Sequence, residues 1–464
     1  MAGVTEDSEP SRPPTHSRRA LLASTAVAAA SLSGCLGGSD GEATDTGVES
    51  STPPTPVRFS TPTGRVPDYT AANSTGTETP TPTPTGTPTG PDHYVYASRA
   101  QLEAVARQVR ADREPWASAY EKQIRDADRA LEMQPKSVVD DGAPDWEDPH
   151  RAGFDDERHD YGAAIDMTTA VRDTALAYWF TRRDAYARRA IDLLAHWCLD
   201  PETRMKPNAD MANTGTFVEL FVTIPKLWYG AALIRGHSYW TERGDRDLEA
   251  AFREWVRAFV DSIPDPGYYQ YNNHWAWRIA TIAGAASYLD DEKRLERALC
   301  MWRGECETEA HGKDKPRPWN QYRRDEDGSG YLKRELARND GFSYHVYGTK
   351  ALMMTAEVAR HRGVDLYGFN APTDPEDGST LRKIFYFMKP FMESPSTWEW
   401  GTGSDDLTNR ETDNAAALYE LAYSRWADDT FIEVVESFGR PTYDSWLLGW
   451  VTLTHGSLCN LDLE

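Results

Sequence analysis

The sequence predicts an all-α protein of about a dozen helices, packed as antiparallel hairpins that close into an α/α toroid or stay open as a solenoid. Three observations lead there. Apolar residues recur at helical spacing: Ala185, Ile191 and Leu194, with Leu193 and Trp197 beside them, form one stripe, and Arg188, Arg189 and Asp192 lie opposite. Strand signals are sparse, and Asp327-Gly328 falls in a charged stretch that reads as a loop. No fixed sequence period is visible, which disfavours the ordinary binding solenoids.

In chain order, Ser17-Arg18-Arg19-Ala20-Leu21-Leu22 is a twin-arginine signature, and the apolar run from Ala20 to Leu32 is too short to cross a bilayer. Leu32-Ser33-Gly34-Cys35 looks like a lipobox, which would make Cys35 the lipidated first residue of the mature protein. Residues 1–35 therefore read as an export signal. The expected location is the outer face of the cytoplasmic membrane, touched only through the lipid anchor. Residues 36–92 are rich in Thr, Pro and Gly, cannot bury apolar surface, and read as a disordered tether. Residues 93–464 form the helical domain, expected to be a monomer, with no second domain evident after residue 440. Further amphipathic stretches cover 98–112, 116–133, 161–181, 217–235, 246–262, 275–290, 292–309, 344–361, 380–393 and 411–426.

Composition narrows the function. With 73 acidic against 50 basic residues, the net charge of −23 argues against a nucleic-acid partner. Of the basic residues only 11 are Lys and 39 are Arg. Such an acidic, Lys-poor surface suits an extreme halophile, because at 1 M salt the Debye length is about 3 Å and surface charges barely repel. Apart from Cys35, an even number of cysteines remains: Cys198, Cys300, Cys306 and Cys459. Cys300 and Cys306 are close enough for a small disulfide loop, though free buried thiols fit equally well. No Cys/His ligand spacing occurs, so neither a metal nor another cofactor is expected.

Two segments carry chemistry. In Tyr268-Tyr269-Gln270-Tyr271-Asn272-Asn273-His274-Trp275-Ala276-Trp277, amides and an imidazole stand at the start of an apolar helix, where a carboxylate is well received. The crowded aromatics, Tyr271 and Trp275 among them, offer faces for pyranose rings; equally, they can be core, with Asn272 a mere cap. In Gly328 to Tyr347, a polar loop presents Arg338 just before Tyr344 opens a helix. Arg forks onto carboxylates, and a guanidinium beside a phenol favours its phenolate. Taken alone, this too reads as a surface Arg and a half-buried Tyr.

Together the segments resemble the alginate lyase family of polysaccharide lyases, in particular the lyases built as a single α/α toroid. The residues that carry the resemblance are Asn272-Asn273-His274-Trp275, Glu335-Leu336-Ala337-Arg338 and Tyr344-His345-Val346-Tyr347, in that order and at fitting distances. The likeness covers roughly 95–400 and is diffuse outside the motifs; Thr214 to Glu219 and the helix after it look like the family's mid-chain helix pair. The linker between Arg338 and Tyr344 departs from the family pattern, which leaves Tyr347 as a second reading for the reacting phenol. The resemblance implies a single toroid and an acidic polysaccharide substrate cleaved by β-elimination. Asn273 and Arg338 would neutralise the carboxylate at C5, Tyr344 would be base and acid, and His274 would position the carboxylate or serve as base for the opposite configuration. Lys136, Tyr271, Asn272, Trp275 and Tyr347 would bind substrate. The family's lid would span Lys136 to Tyr161, here strongly acidic through Asp140, Asp141, Asp145, Glu147, Asp148, Asp155, Asp156 and Glu157.

Two other classes fit the composition. An α/α-toroid glycoside hydrolase needs two opposed carboxyl groups, for which Glu399 and Asp405 or Asp406 are available. A non-catalytic surface carbohydrate binder would keep the aromatics without needing Arg338 or Tyr344.

Overall fold

A computed structural model describes residues 92–140, 159–209, 217–243, 246–263, 272–306, 318–338, 341–374, 378–394 and 409–456. The signal with Cys35, nearly all of the tether, most of the acidic lid segment, Tyr271, Glu399, Asp405, Asp406 and Cys459 lie outside the described residues. The helices are α1 (Arg99–Arg110), α2 (Trp116–Glu132), α3 (His159–Thr181), α4 (Asp184–Cys198), α5 (Phe217–Thr223), α6 (Pro225–Leu233), α7 (Tyr239–Glu242) and α8 (Leu248–Asp261). They continue with α9 (Asn273–Leu289), α10 (Glu292–Arg303), α11 (Lys333–Leu336), α12 (Gly341–Arg360), α13 (Thr380–Glu393), α14 (Asn409–Trp426), α15 (Asp429–Phe438) and α16 (Val451–His455).

The helices form two layers. α3, α6, α9, α12 and α14 pack on one another in succession and make the inner layer. α2 and α4 cover α3, α8 and α10 cover α9, and α13 and α15 cover α14. The sequences match these positions. Outer helices such as α2, α8 and α10 carry one apolar stripe, whereas every residue of α6 is buried. This double layer of paired helices is the α/α toroid.

Local chemistry sets the helix ends. Ser98 and Gln101 form a reciprocal capping box at α1, with Ser98 N–H donating to Gln101 Oε1 at 2.9 Å and Gln101 N–H to Ser98 Oγ at 3.1 Å. Pro225 breaks the helix expected over 217–235 into α5 and α6, because its ring cannot donate the N–H that a continuous helix needs. Gly304, at φ +73°, ends α10 short of the expected 309. Cys306 then folds back to form a disulfide with Cys300, while Cys198 is a free, buried thiol.

Two small antiparallel hairpins correct the purely helical expectation. β1 (Tyr322–Arg324) pairs with β2 (Gly330–Leu332), and β3 (Tyr443–Asp444) with β4 (Gly449–Trp450). Asp327-Gly328 lies in the turn of the first: Gly328 sits at φ +89°, and Asp327 Oδ1 accepts the Ser329 N–H at 2.9 Å. The second hairpin rests on Arg172 of α3, which donates to Asp173 at 2.8 Å, to the Tyr443 hydroxyl at 3.1 Å and to the Leu447 carbonyl at 3.3 Å. Gly449, at φ +74°, is required there, since a Cβ would stand 3.0 Å from the Arg172 guanidinium carbon.

The C-terminal segment closes on the start of the domain. Trp116 Nε1 donates to the Gly456 carbonyl at 3.0 Å, and Trp450 Nε1 to Asp126 at 2.8 Å. Glu357 is the buried hub of this region. Arg360 (2.7 Å), Arg425 (2.8 Å), the Tyr367 hydroxyl (2.8 Å) and the imidazoles of His361 (3.1 Å) and His455 (3.4 Å) all converge on it. Burial raises its proton affinity, but Arg425 and Arg360 outweigh burial and hold the carboxyl well below its usual range.

Candidate active site

The N-terminal ends of inner helices α9 and α12 meet. Asn272 caps α9, its side chain accepting the His274 N–H at 3.2 Å. In α9 only His274 and Ile282 escape full burial; in α12 only Ser343, Tyr344, Tyr347 and Arg360 do. In two helices otherwise buried nearly all round, the accessible side chains near their N-terminal ends are thus an imidazole, a serine hydroxyl and two phenols. Gly348 of α12 faces this junction: a Cβ there would press on Leu332 Cδ1 at 3.3 Å and touch Glu335 Cγ and Asn273 Cβ at 3.5 and 3.6 Å.

Asn273 is fully buried and held by Glu335 of α11: its N–H donates to Oε1 at 2.5 Å and its amide nitrogen to Oε2 at 2.8 Å. One amide hydrogen of Asn273 remains for another acceptor. Burial pushes the Glu335 carboxyl up to about 7, against the pull of the two Asn273 donors. His345, also buried, accepts the Leu332 N–H at 3.0 Å on Nε2 and so ties the end of β2, and α11 after it, to α12. Burial lowers its affinity for a proton to about 3, which keeps it a neutral acceptor.

Arg338 follows α11, and its guanidinium lies over the Tyr344 ring, 4.0 Å from the centroid. His274 is brought down to about 4 by burial first, then by the positive charges of Arg338 and Arg278. The imidazole is therefore neutral near pH 7, and the positive charge at this spot belongs to arginine.

The structure places the other expected residues variously. Tyr347 is wedged between Trp277 and Trp446, with ring centroids at 5.0 Å on either side. Trp275, expected as a sugar platform, is fully buried and offers no free face; it belongs to the core because α9 is enclosed on all sides. Lys136 is exposed and paired with Asp166 at 2.5 Å. Asn272 is spent on its cap. Glu335 had no assigned role in the sequence reading, although it stands in the Glu-Leu-x-Arg stretch.

Beside this group runs a cleft of about 770 Å³, lined by α2, α3, α5, α6 and the second hairpin. None of Asn273, His274, Arg338 and Tyr344 lines it; the link is Trp446, which forms part of its wall and touches Tyr347.

A two-layered toroid with Asn, His, Arg and Tyr gathered at one end of its inner helices has the makings of a polysaccharide lyase. The comparisons agree. The alginate lyase family model matches residues 93–398, and the chain belongs to that family. No curated protein matches the sequence. Among solved structures, an alginate lyase from Bacteroides ovatus superposes with a TM-score of 0.63 at 19% identity, covering 78% of this chain and 99% of its own. Alginate lyase A1-III from Sphingomonas species A1 gives 0.51 at 14% identity, covering 78% and 96%. A variant of A1-III complexed with a tetrasaccharide gives 0.53 at 14%, covering 78% and 95%. At these identities the likeness is one of fold.

Proposed function

We propose that this polysaccharide lyase cleaves a uronate-containing, alginate-like polymer by β-elimination, as an exported, lipid-anchored protein. The observation that carries the reading is Arg338 lying over Tyr344 where the N-terminal ends of α9 and α12 expose side chains. The proton at C5 of a uronate is barely acidic while the neighbouring carboxylate keeps its full charge. Arg338, the remaining amide hydrogen of Asn273 and the positive ends of two helix dipoles would take up that charge and the enolate that develops. Tyr344, as phenolate under the field of Arg338, would remove the C5 proton. The electron pair then forms the C4–C5 double bond, the C4–O bond breaks, and Tyr344 returns the proton to the leaving oxygen. Neutral His274 would orient the carboxylate, or take the proton in a substrate of the opposite C5 configuration.

The test is incubation with alginate and other polyuronates in high salt, following the ultraviolet absorbance of an unsaturated uronate. Release of that product supports the reading. A plain reducing end would point to a hydrolase, and folded protein that binds uronate without product would point to a binder.

A further inference from the structure

Lys226, on α6, lies on the floor of the 770 Å³ cleft and is 1% exposed. It makes no hydrogen bond and no ion pair with any described residue. A buried ammonium without a partner is costly, so such a lysine tends to give up its proton and holds the full charge only when a counter-charge arrives beside it. The acids of the cleft wall pair with other groups or with water and do not bond to Lys226. Asp126 is bonded to Trp450 Nε1 and paired with Arg129, Asp166 is paired with Lys136, and Asp173 is held by Arg172. Asp413 is exposed to solvent. Trp446, which touches Tyr347 of the candidate active site, and Trp450 give the cleft aromatic walls of the kind sugar rings stack on.

We infer that this cleft is a distal sugar subsite, in which Lys226 receives the carboxylate of a uronate unit remote from the bond that is cut. The inference rests on the reading of the substrate as a polyuronate. Burial, then the charge of Arg172, brings the Lys226 ammonium down to about 7, with Asp444, Asp173 and Asp166 acting the other way. A carboxylate arriving in the cleft would restore the charge, so binding takes up a proton and weakens as pH rises above about 7.

The experiment is equilibrium titration of Tyr344→Phe protein, which is not expected to turn over, with oligomers of mannuronate, guluronate and glucuronate and with their carboxyl-reduced, neutral counterparts. Lys226→Met in that background should bind the best uronate oligomer about tenfold more weakly, the scale of one lost charge-assisted hydrogen bond. Neutral oligomers should bind both proteins alike. Lys226→Arg should restore much of the affinity and flatten its decline above pH 7. Should Lys226→Met fail to fold, the pH series on the Lys226 protein against Lys226→Arg carries the test. Equal uronate affinity of Lys226→Met and its parent, a pH profile that Lys226→Arg leaves unchanged, or no uronate binding at all would overturn the subsite. The two readings fail separately. Lys226-dependent binding without unsaturated product from the wild type defeats the lyase chemistry alone, while product formed with equal ease by Lys226→Met defeats the subsite alone.

Discussion

Tyr344→Phe is expected to lower kcat by about 10²–10⁴-fold, the range for loss of a general acid–base, without loss of fold. Tyr347→Phe should keep most turnover, because the ring stays wedged between Trp277 and Trp446. The absorbance assay of the two variants decides which phenol reacts. Glu335→Gln should lower kcat as well, since an amide cannot accept both Asn273 donors. It carries a second signature. With its carboxyl raised by burial from 4.5 to about 7, Glu335 holds a proton in the folded state that the unfolded chain releases. Its contribution is fully present below the unfolded value and is lost as pH rises through about 7, a loss on the order of 3 kcal/mol. Denaturation of wild type and Glu335→Gln across pH 4 to 8 should show that slope in the difference between the two proteins. Nothing in the sequence marks Glu335 as holding Asn273, since it is one carboxylate in a chain with 73 acidic residues. Asn273, His274, Arg338 and Tyr344, by contrast, stood out because they fall in motifs whose order and spacing resemble a known family's pattern.

Helix α9 shows how far periodicity reaches. Its Asn272 cap and apolar body were readable, and Asn272→Ala should cost about 1 kcal/mol in thermal melts. That Trp275 faces inward was not readable, because a helix buried on every side has no polar face to reveal its orientation. The first hairpin was hidden for a related reason: strands as short as Tyr322–Arg324 and Gly330–Leu332 give too few alternations to register. Nothing in the sequence sets Lys226 apart; its burial follows from the packing of α3 and α9 around α6. The disulfide joining Cys300 to Cys306 was legible from their closeness in sequence only as an alternative to free buried thiols. Replacing both cysteines with serine should lower stability by about 2 kcal/mol, the chain-entropy value for so short a loop, read from chemical denaturation without reductant.

For the molecule as a whole, the charge of −23 is a load that salt relieves. Dilution to low ionic strength should lower both thermal stability and turnover, and undiminished turnover of a polyuronate without added salt would refute the reading as salt adaptation. The same charge makes the arginine-centred patch at α9 and α12 an exception on an acidic protein, and Lys226 a second one.

The bond from Trp116 to the Gly456 carbonyl spans 340 residues of chain. At a synthesis rate of about 5–20 residues per second, the first of these partners waits roughly 17–70 s for the second to emerge from the ribosome. During that interval α2 and α3 lack the C-terminal hairpin and α16 that cover them in the finished domain. The Glu357 hub likewise lacks Arg425 and His455. Yield should therefore be governed by what shields those faces while translation runs. A chain cut before α16 would leave the buried Glu357 carboxylate without His455 and Trp116 without its carbonyl.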